Sequence, residues 1–243
     1  MPEIVSTPAL ILASASPART KLLTDAGIAH RIQVSDVDED AVVARHGVTD
    51  PADTALLLAR AKAEAVAASL ADEVDGALVL GCDSVFSFDG VAYGKPHTPE
   101  RATERITAMS GRSGTLYTGH WLIDTRPGRV AVPEPGGEAE PEPGTDAPVA
   151  VEPAASDVQP RAAATGAIAS AEVHFATMTD AEIAAYVATG EPLAVAGSFT
   201  IDSRGSAFIR RVDGDPHAVI GLSVTTLRTL LTRLGEDITA LWA

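Results

Sequence analysis

The sequence predicts an α/β (α+β) fold: a central mixed, twisted β-sheet with flanking helices. Three observations carry this. Short apolar runs alternate with helix signatures, the pattern of layered sheet and helix. Asp89-Gly90 lies between two apolar runs, a two-residue hairpin signal that a purely parallel sheet would not contain. The 243 residues, 46% of them hydrophobic, supply the core of one large domain.

The elements follow in order. Residues 9–13 read as a buried strand; Ser16 is placed to cap a helix that has Pro17 at its first position and stops at Gly27. Residues 31–34 read as a second strand running into the acidic loop SDVDED. Asp50-Pro51 opens a helix with Leu56, Ala59, Ala63 and Leu70 near helical spacing. Residues 77–80 read as a strand ending at Gly81-Cys82-Asp83, and 85–88 as a second run entering the hairpin. A helix is expected from Thr98-Pro99 to Gly111, then a strand over 115–124. Residues 126–166 hold half of the 16 prolines and no aromatic residue. Such a stretch buries too little to offset its ordering entropy. The expectation is therefore a single domain, 1–243, interrupted by a disordered Pro/Glu/Ala-rich insertion at 126–166. Beyond it, Thr179 to Glu182 is a capping box opening a helix that stops by Gly190. Residues 199–201 and 207–212 read as strands, and Ser223 caps a last helix ending near Gly235.

Charge narrows the function classes. Eighteen Lys+Arg face 33 Asp+Glu, a net charge of −15. This argues against gripping polymeric nucleic acid, whose phosphates reward cations, but permits a small phosphorylated ligand held by a few placed cations. Cys82 is the only cysteine, so no intramolecular disulfide forms, and a reducing compartment is the default. The first residues lack a basic n-region and a long apolar run, and no stretch approaches about 20 consecutive apolar residues. The expectation is a cytoplasmic protein without a membrane segment.

Four groups of residues could carry chemistry. Ser14-Ala15-Ser16-Pro17-Ala18-Arg19 joins a strand to a helix start, offering hydroxyls, unpaired N–H groups and a guanidinium to an anion; the local pattern alone favours an ordinary N-cap. Asp36, Asp38, Glu39 and Asp40 offer hard oxygen ligands for Mg²⁺, or a solvated loop. Asp83, at the expected strand end, suits a metal ligand or a general base, or a local turn. Lys62 and Lys95 are point charges able to neutralise phosphate oxygens, or surface lysines. Together they are the parts of metal-assisted phosphoryl chemistry. Cys82 reads as packing. His46, His97, His120, His174 and His217 show no metal-ligand spacing and read as structural or surface residues. A serine-hydrolase elbow is absent.

The ordered series LASASPARTKLLTDAGI, SDVDE, LARAKAEAV, GCDSV, YGKP, MSGRSGTLYTG, EIAAYVATGEPL, AGSFTI, GSAF and VIGL resembles the Maf family of nucleoside triphosphate pyrophosphatases. The resemblance spans nearly the whole chain outside 126–166. It implies hydrolysis of a nucleoside triphosphate between the α- and β-phosphates, with a divalent cation (Mg²⁺ or Mn²⁺). It further implies a cytoplasmic, frequently dimeric protein with two lobes around a cleft. It assigns Asp83 as proton acceptor and Ser14, Ser16 and Arg19 to phosphate binding. Glu39, Lys62 and Lys95 fall on the family's acidic and lysine positions, with Glu39 and Asp83 the candidate metal ligands. The family member specific for dTTP and UTP carries Ser-Pro-Arg-Arg, Asp-Thr and Ile-Gln at its selectivity positions; here Ala18, Ser84 and Asp202 stand there. Asp202 is acceptor-only where an amide both donates and accepts, so the expected base presents an amino donor, as cytosine or a guanine derivative does. The alternative is a non-catalytic nucleotide-binding regulator linked to septum formation; the retained Asp83, Glu39, Lys62 and Lys95 favour catalysis.

Overall fold

The wholly apolar triplet Leu10-Ile11-Leu12 forms β1 (Leu10–Leu12), buried on both faces as a strand between two parallel neighbours must be. The structure is a computed structural model describing residues 9–70, 76–127 and 163–243. Ser16 caps α1 (Pro17–Asp25), accepting from the Arg19 N–H, and Gly27, at φ +69°, supplies the left-handed residue that ends it. There follow β2 (His30–Ile32), α2 (Glu39–His46), α3 (Pro51–Ser69), β3 (Leu78–Phe88), β4 (Val91–Tyr93), α4 (Pro99–Met109) and β5 (Ser113–Asp124). After residue 162 come β6 (Ala163–Phe175), α5 (Asp180–Ala188), β7 (Ile209–Gly214), α6 (Pro216–Ile220) and α7 (Val224–Arg233). Asp50, Thr98 and the Thr179/Glu182 capping box start α3, α4 and α5 as expected, and Ser223 caps α7.

The described residues form one seven-stranded mixed sheet in the order β2-β1-β3-β5-β6-β7, with β4 also paired to β3. β1 runs parallel to β2 and β3; the other pairings are antiparallel. β5 pairs with one edge of β3 from Leu78 to Ser87. β1 and β4 therefore share the other edge, β1 at Leu78–Leu80 and β4 at Phe86–Phe88. Among the described residues no strand pairs with 81–85 on that side. This open window lies just past the carboxyl end of β1, where α/β sheets place ligands.

Helix α3 lies directly on the sheet over that window. A Cβ on Gly81 would sit 2.1 Å from the Ala59 carbonyl oxygen, and one on Gly119 2.3 Å from that of Ala55. Glycine at both positions, with Ala55, Ala59 and Ala63 buried on the helix, permits this approach. The core divides on either side of the window. Leu78, Leu80 and Cys82 pack with α1 and α7, while Ile11 and Val79 pack under α3. Phe86 and Phe88 pack with α4, α5 and Phe199 at the far end of the long strands. Asp83 falls between the two halves.

Several expectations are corrected. The two runs at 77–80 and 85–88 are one strand, β3, because β5 supplies a continuous partner; Asp83 is mid-strand rather than at a strand end. SDVDED is not a loop throughout: Asp38 accepts from the Ala41 N–H and caps α2, which Gly47 ends at φ +65°. Residues 199–201 form no strand: the left-handed Gly197 and Ser198 just before them, at φ +72° and +63°, break the extended backbone, and Phe199 packs on Phe86 and Phe175 as a side chain rather than through a ladder. β7 begins at Ile209, two residues later than expected. Residues 128–162 of the interval expected to be disordered lie outside the described residues, but its ends are ordered. Residues 163–166 open β6 and pair with 121–124 of β5. Arg126 grips the Asp124 carboxylate with Nε and Nη2 (2.8 and 2.6 Å) and reaches Glu236 at 2.7 Å. No helix among the described residues is long and apolar enough to cross a membrane.

Candidate active site

Alternation along β3 points Asp83 toward α3 and Ser84 toward α1. On the α3 side, the Lys62 ammonium donates to Asp83 Oδ1 at 2.5 Å and pairs with Glu39 Oε1 at 2.7 Å. Lys62 and Asp83 are nearly buried, while Glu39, on the first turn of α2, is half exposed. Burial pushes the Asp83 carboxyl above the usual aspartate range, although the charges of Lys62 and Arg19 pull the other way. The site thus holds a desolvated carboxylate of raised basicity against a fixed cation.

On the α1 side, the Arg19 guanidinium donates to the Gly221 carbonyl (Nε, 2.7 Å), Ser14 Oγ (3.1 Å) and Ser84 Oγ (3.3 Å). Ser14 is buried and also accepts from the Ser16 N–H at 3.2 Å. The helix start, its two serines and Arg19 therefore form one preorganised turn beside the window, an arrangement that favours anions.

The structure brings together Ser14, Ser16, Arg19 and Ser84 on one side, and Glu39, Lys62 and Asp83 on the other. Lys95 stands apart: it is exposed on the turn after β4 and makes no ion pair with Asp83 or Glu39. That turn is held by Arg105 Nη1 donating to the Gly94 carbonyl at 2.5 Å and by the His97 N–H donating to Leu193 O at 3.1 Å. Asp202 is exposed on the loop before the last strand, close enough to α1 for its charge to be felt at Lys21. Of the other acidic candidates, Asp38 is used as a cap, and Asp36 and Asp40 are exposed. Cys82 is fully buried, and burial pushes its thiol up to about 12, consistent with packing rather than nucleophilic chemistry.

Thr118, which the sequence does not single out, and His120, which it reads as structural or surface, support this turn. Thr118 Oγ1, wholly buried, lies 2.8 Å from Ser84 Oγ and donates to the Ala218 carbonyl at 2.8 Å. His120 Nε2 accepts from the Ser223 N–H at 2.8 Å, and Nδ1 faces the Thr118 carbonyl. Ser223 Oγ bonds Asp215, which caps α6. Only the alternation of Thr118 and His120 in an apolar strand marks them in the sequence. Burial, then the charge of Arg19, lowers His120 to about 4. Its folded value lies below the unfolded one of 6.5, so its contribution is complete above pH 6.5 and lost as pH falls toward 4. The full loss amounts to about 3 kcal/mol. Urea denaturation at stepped pH should show this decline, and the gap between the wild type and His120→Gln should narrow over the same window.

A trio of Glu172, His174 and Asp213 has ligand atoms within 4.8 Å of one another. It lies on β6 and β7, four residues (Glu172, Asp213) to six residues (His174) along the strands from the Asp83 register, roughly 13–20 Å in the strand direction. Arg211 also bonds Asp213 there, and the trio is no part of this site.

Fold and site together define an α/β protein with a nearly buried carboxylate–lysine pair, Asp83 and Lys62, beside the unpaired stretch of β3 beyond the carboxyl end of β1. The chain belongs to the Maf family: the model of that family, described as "Maf-like protein", matches residues 9–140 and 147–234. Two curated relatives are each 49% identical. One, from Leifsonia xyli subsp. xyli, aligns over 237 residues (96% of each chain). The other, from Streptomyces coelicolor, aligns over 234 residues (96% of this chain, 94% of the relative). A relative from Nocardia farcinica is 43% identical over 237 residues, 97% of each chain. All three are named nucleoside triphosphate pyrophosphatase.

Proposed function

We propose that this chain is a nucleoside triphosphate pyrophosphatase, hydrolysing the α–β phosphoanhydride to a nucleoside monophosphate and diphosphate. The observation that carries this reading is the Lys62–Asp83 pair, buried within an open edge of β3 that the Ser14–Arg19 turn flanks. The name its relatives carry supports it. Water attacks the α-phosphorus while Asp83 accepts its proton; diphosphate leaves with the bridging-oxygen electrons. Lys62 and Arg19 face the growing negative charge, the serines and helix start of α1 orient the phosphates, and Lys95 closes on them from the opposite turn.

The carboxylates of Glu39 and Asp83 converge on one ammonium and are hard oxygen donors, a pair that fits a Mg²⁺- or Mn²⁺-type ion. Glu39 and Asp83 would hold it, and when bound it supplies charge neutralisation and acidifies a coordinated water. The same reading places the protein in the cytoplasm as a homodimer, clearing modified or non-standard nucleotides.

Diphosphate release from a panel of canonical and modified nucleoside triphosphates, with Mg²⁺ or Mn²⁺, is the test. Selective turnover, with dTTP not the best substrate, is expected. Nucleotide binding without any turnover would overturn it in favour of a regulator. Exchange of Asp202 for Asn should reduce the preference for an amino-bearing base over a keto-bearing one about tenfold, because the amide adds a donor.

A further inference from the structure

Glu191 follows a helix stop and precedes a proline, and nothing in its local sequence suggests a role. Its side chain is only 11% exposed, yet it carries a concentrated set of hydrogen bonds. Oε1 accepts from Thr200 Oγ1 at 2.6 Å, the Gly205 N–H at 2.9 Å and the Tyr186 hydroxyl at 3.1 Å. Oε2 accepts from Ser203 Oγ at 2.9 Å and the Arg204 N–H at 3.2 Å. Four of these five donors belong to residues 200–205, the segment that contains Asp202. Burial alone would push this carboxyl up; the bonds from Thr200, Gly205, Ser203 and Arg204 outweigh it and hold it at about 2. Glu191 is therefore a fixed anion around which the segment is wound.

The segment has little else to shape it. Residues 199–203 lie in no helix or strand. Just before them Gly197 and Ser198 are both left-handed, and the buried Ser198 hydroxyl has no hydrogen-bond partner. A non-glycine residue in that conformation persists only where its surroundings over-determine it. Phe199 anchors one end by edge-on packing with Phe86 and Phe175; Glu191 anchors the other. Gly205 has no room for a side chain, since a Cβ would sit 2.5 Å from the Tyr186 hydroxyl. Two residues past Glu191, the Leu193 carbonyl accepts from His97 in the Lys95 turn. One short stretch thus bonds both the 200–205 segment and the turn that carries Lys95.

We propose that Glu191 is the positioning residue for nucleobase selectivity: it fixes the 200–205 segment so that Asp202 meets the base at one place and orientation. The proposal rests on the pyrophosphatase reading and extends it to the selectivity of the same site. Glu191 touches no reacting group; it acts through Asp202. Its replacement by Gln swaps one acceptor oxygen for a donor facing groups that themselves donate, so the segment loosens without a change in size.

The test is kcat and KM for the preferred and a rejected nucleoside triphosphate in wild type, Glu191→Gln, Asp202→Ala and the double variant. In Glu191→Gln, KM for the preferred base should rise at least tenfold while kcat changes less, and the ratio of kcat/KM between the two bases should collapse by a similar factor. In the Asp202→Ala background the same exchange should leave that ratio within twofold, the non-additivity that one residue acting through another produces. An equal loss on both bases, or the same effect with and without Asp202, would overturn the proposal. Should Glu191→Gln fail to fold, Thr200→Val and Ser203→Ala each remove one donor, and unchanged base ratios in both would overturn it. Absence of turnover by the wild type would instead overturn the pyrophosphatase reading itself.

Discussion

Asp83→Asn should lower kcat/KM for diphosphate release by about 10²- to 10⁴-fold, the range over which a positioned general base contributes, with the fold intact. The fold survives because Asn still accepts from Lys62, and the Lys62 ammonium keeps its ion pair with Glu39. Lys62→Met should behave in the opposite way. It strands the buried Asp83 carboxylate, a loss of about 3–5 kcal/mol at neutral pH, which should shrink on acidification as Asp83 takes up a proton. Burial raises Asp83, so the acidic limb of the wild-type pH–rate profile should lie above the ordinary aspartate value of about 4 and vanish in Asp83→Asn. Near-normal turnover in Asp83→Asn would remove this residue from the mechanism.

Gly81→Ala should destabilise the protein by about 3 kcal/mol or more, at or beyond the usual range of overpacking, and depress activity as well. The added methyl would meet the Ala59 carbonyl at 2.1 Å and the Ala63 nitrogen at 2.8 Å. Both are backbone atoms of α3, so the clash is relieved only by lifting the helix that carries Lys62. Gly90→Asn is the control. At φ +77° with nothing near a Cβ, it occupies a hairpin turn that Asn adopts readily, and it should cost less than about 1 kcal/mol. Urea denaturation and diphosphate release on the same preparations decide the matter. Wild-type stability in Gly81→Ala would mean that α3 is not seated on the sheet as described.

The two predictions also mark where sequence reading stops. That residue 83 carries a carboxylate and residue 62 an ammonium is plain in the sequence, and the resemblance to the Maf family paired them in function. That they sit 2.5 Å apart on the inner face of α3 depends on two glycines in neighbouring strands, whose purpose shows only when the helix lies on them. The sequence puts Asp83 at a strand end, where the apolar run 77–80 meets Gly81; β5 overrides that break with an unbroken partner. β6 was not foreseen at all. Its inward positions are mostly small residues, such as Ala169 and Ala171, with little strand propensity of their own. It becomes a strand because β5 and β7 supply its ladders on both edges.

Five of the seven α-helix starts among the described residues are legible in the sequence; those of α2 and α6 are not. At Ser16, Asp50, Thr98, Thr179 and Ser223 the side chain accepts from a backbone N–H two or three residues on, so donor and acceptor lie in the same few letters. The Asp89-Gly90 hairpin is local in the same sense. Capping of α2 by Asp38 obeys this rule too, but the surrounding acidic run concealed it. Glu191 had no such signal, because most of its donors lie nine to fourteen residues away. Composition puts Arg126 in the Pro-rich stretch, yet it is held by Glu236, 110 residues distant. By itself the sequence determined the class of fold, the ends of most helices and the kinds of groups available for chemistry, since these follow from short-range hydrogen bonding and apolar spacing. Only the tertiary structure decided how far each strand runs, which carboxylate is desolvated against which cation, and what holds the 200–205 segment. Those depend on contacts between residues far apart in the chain, and their energies exist only once the layers have packed.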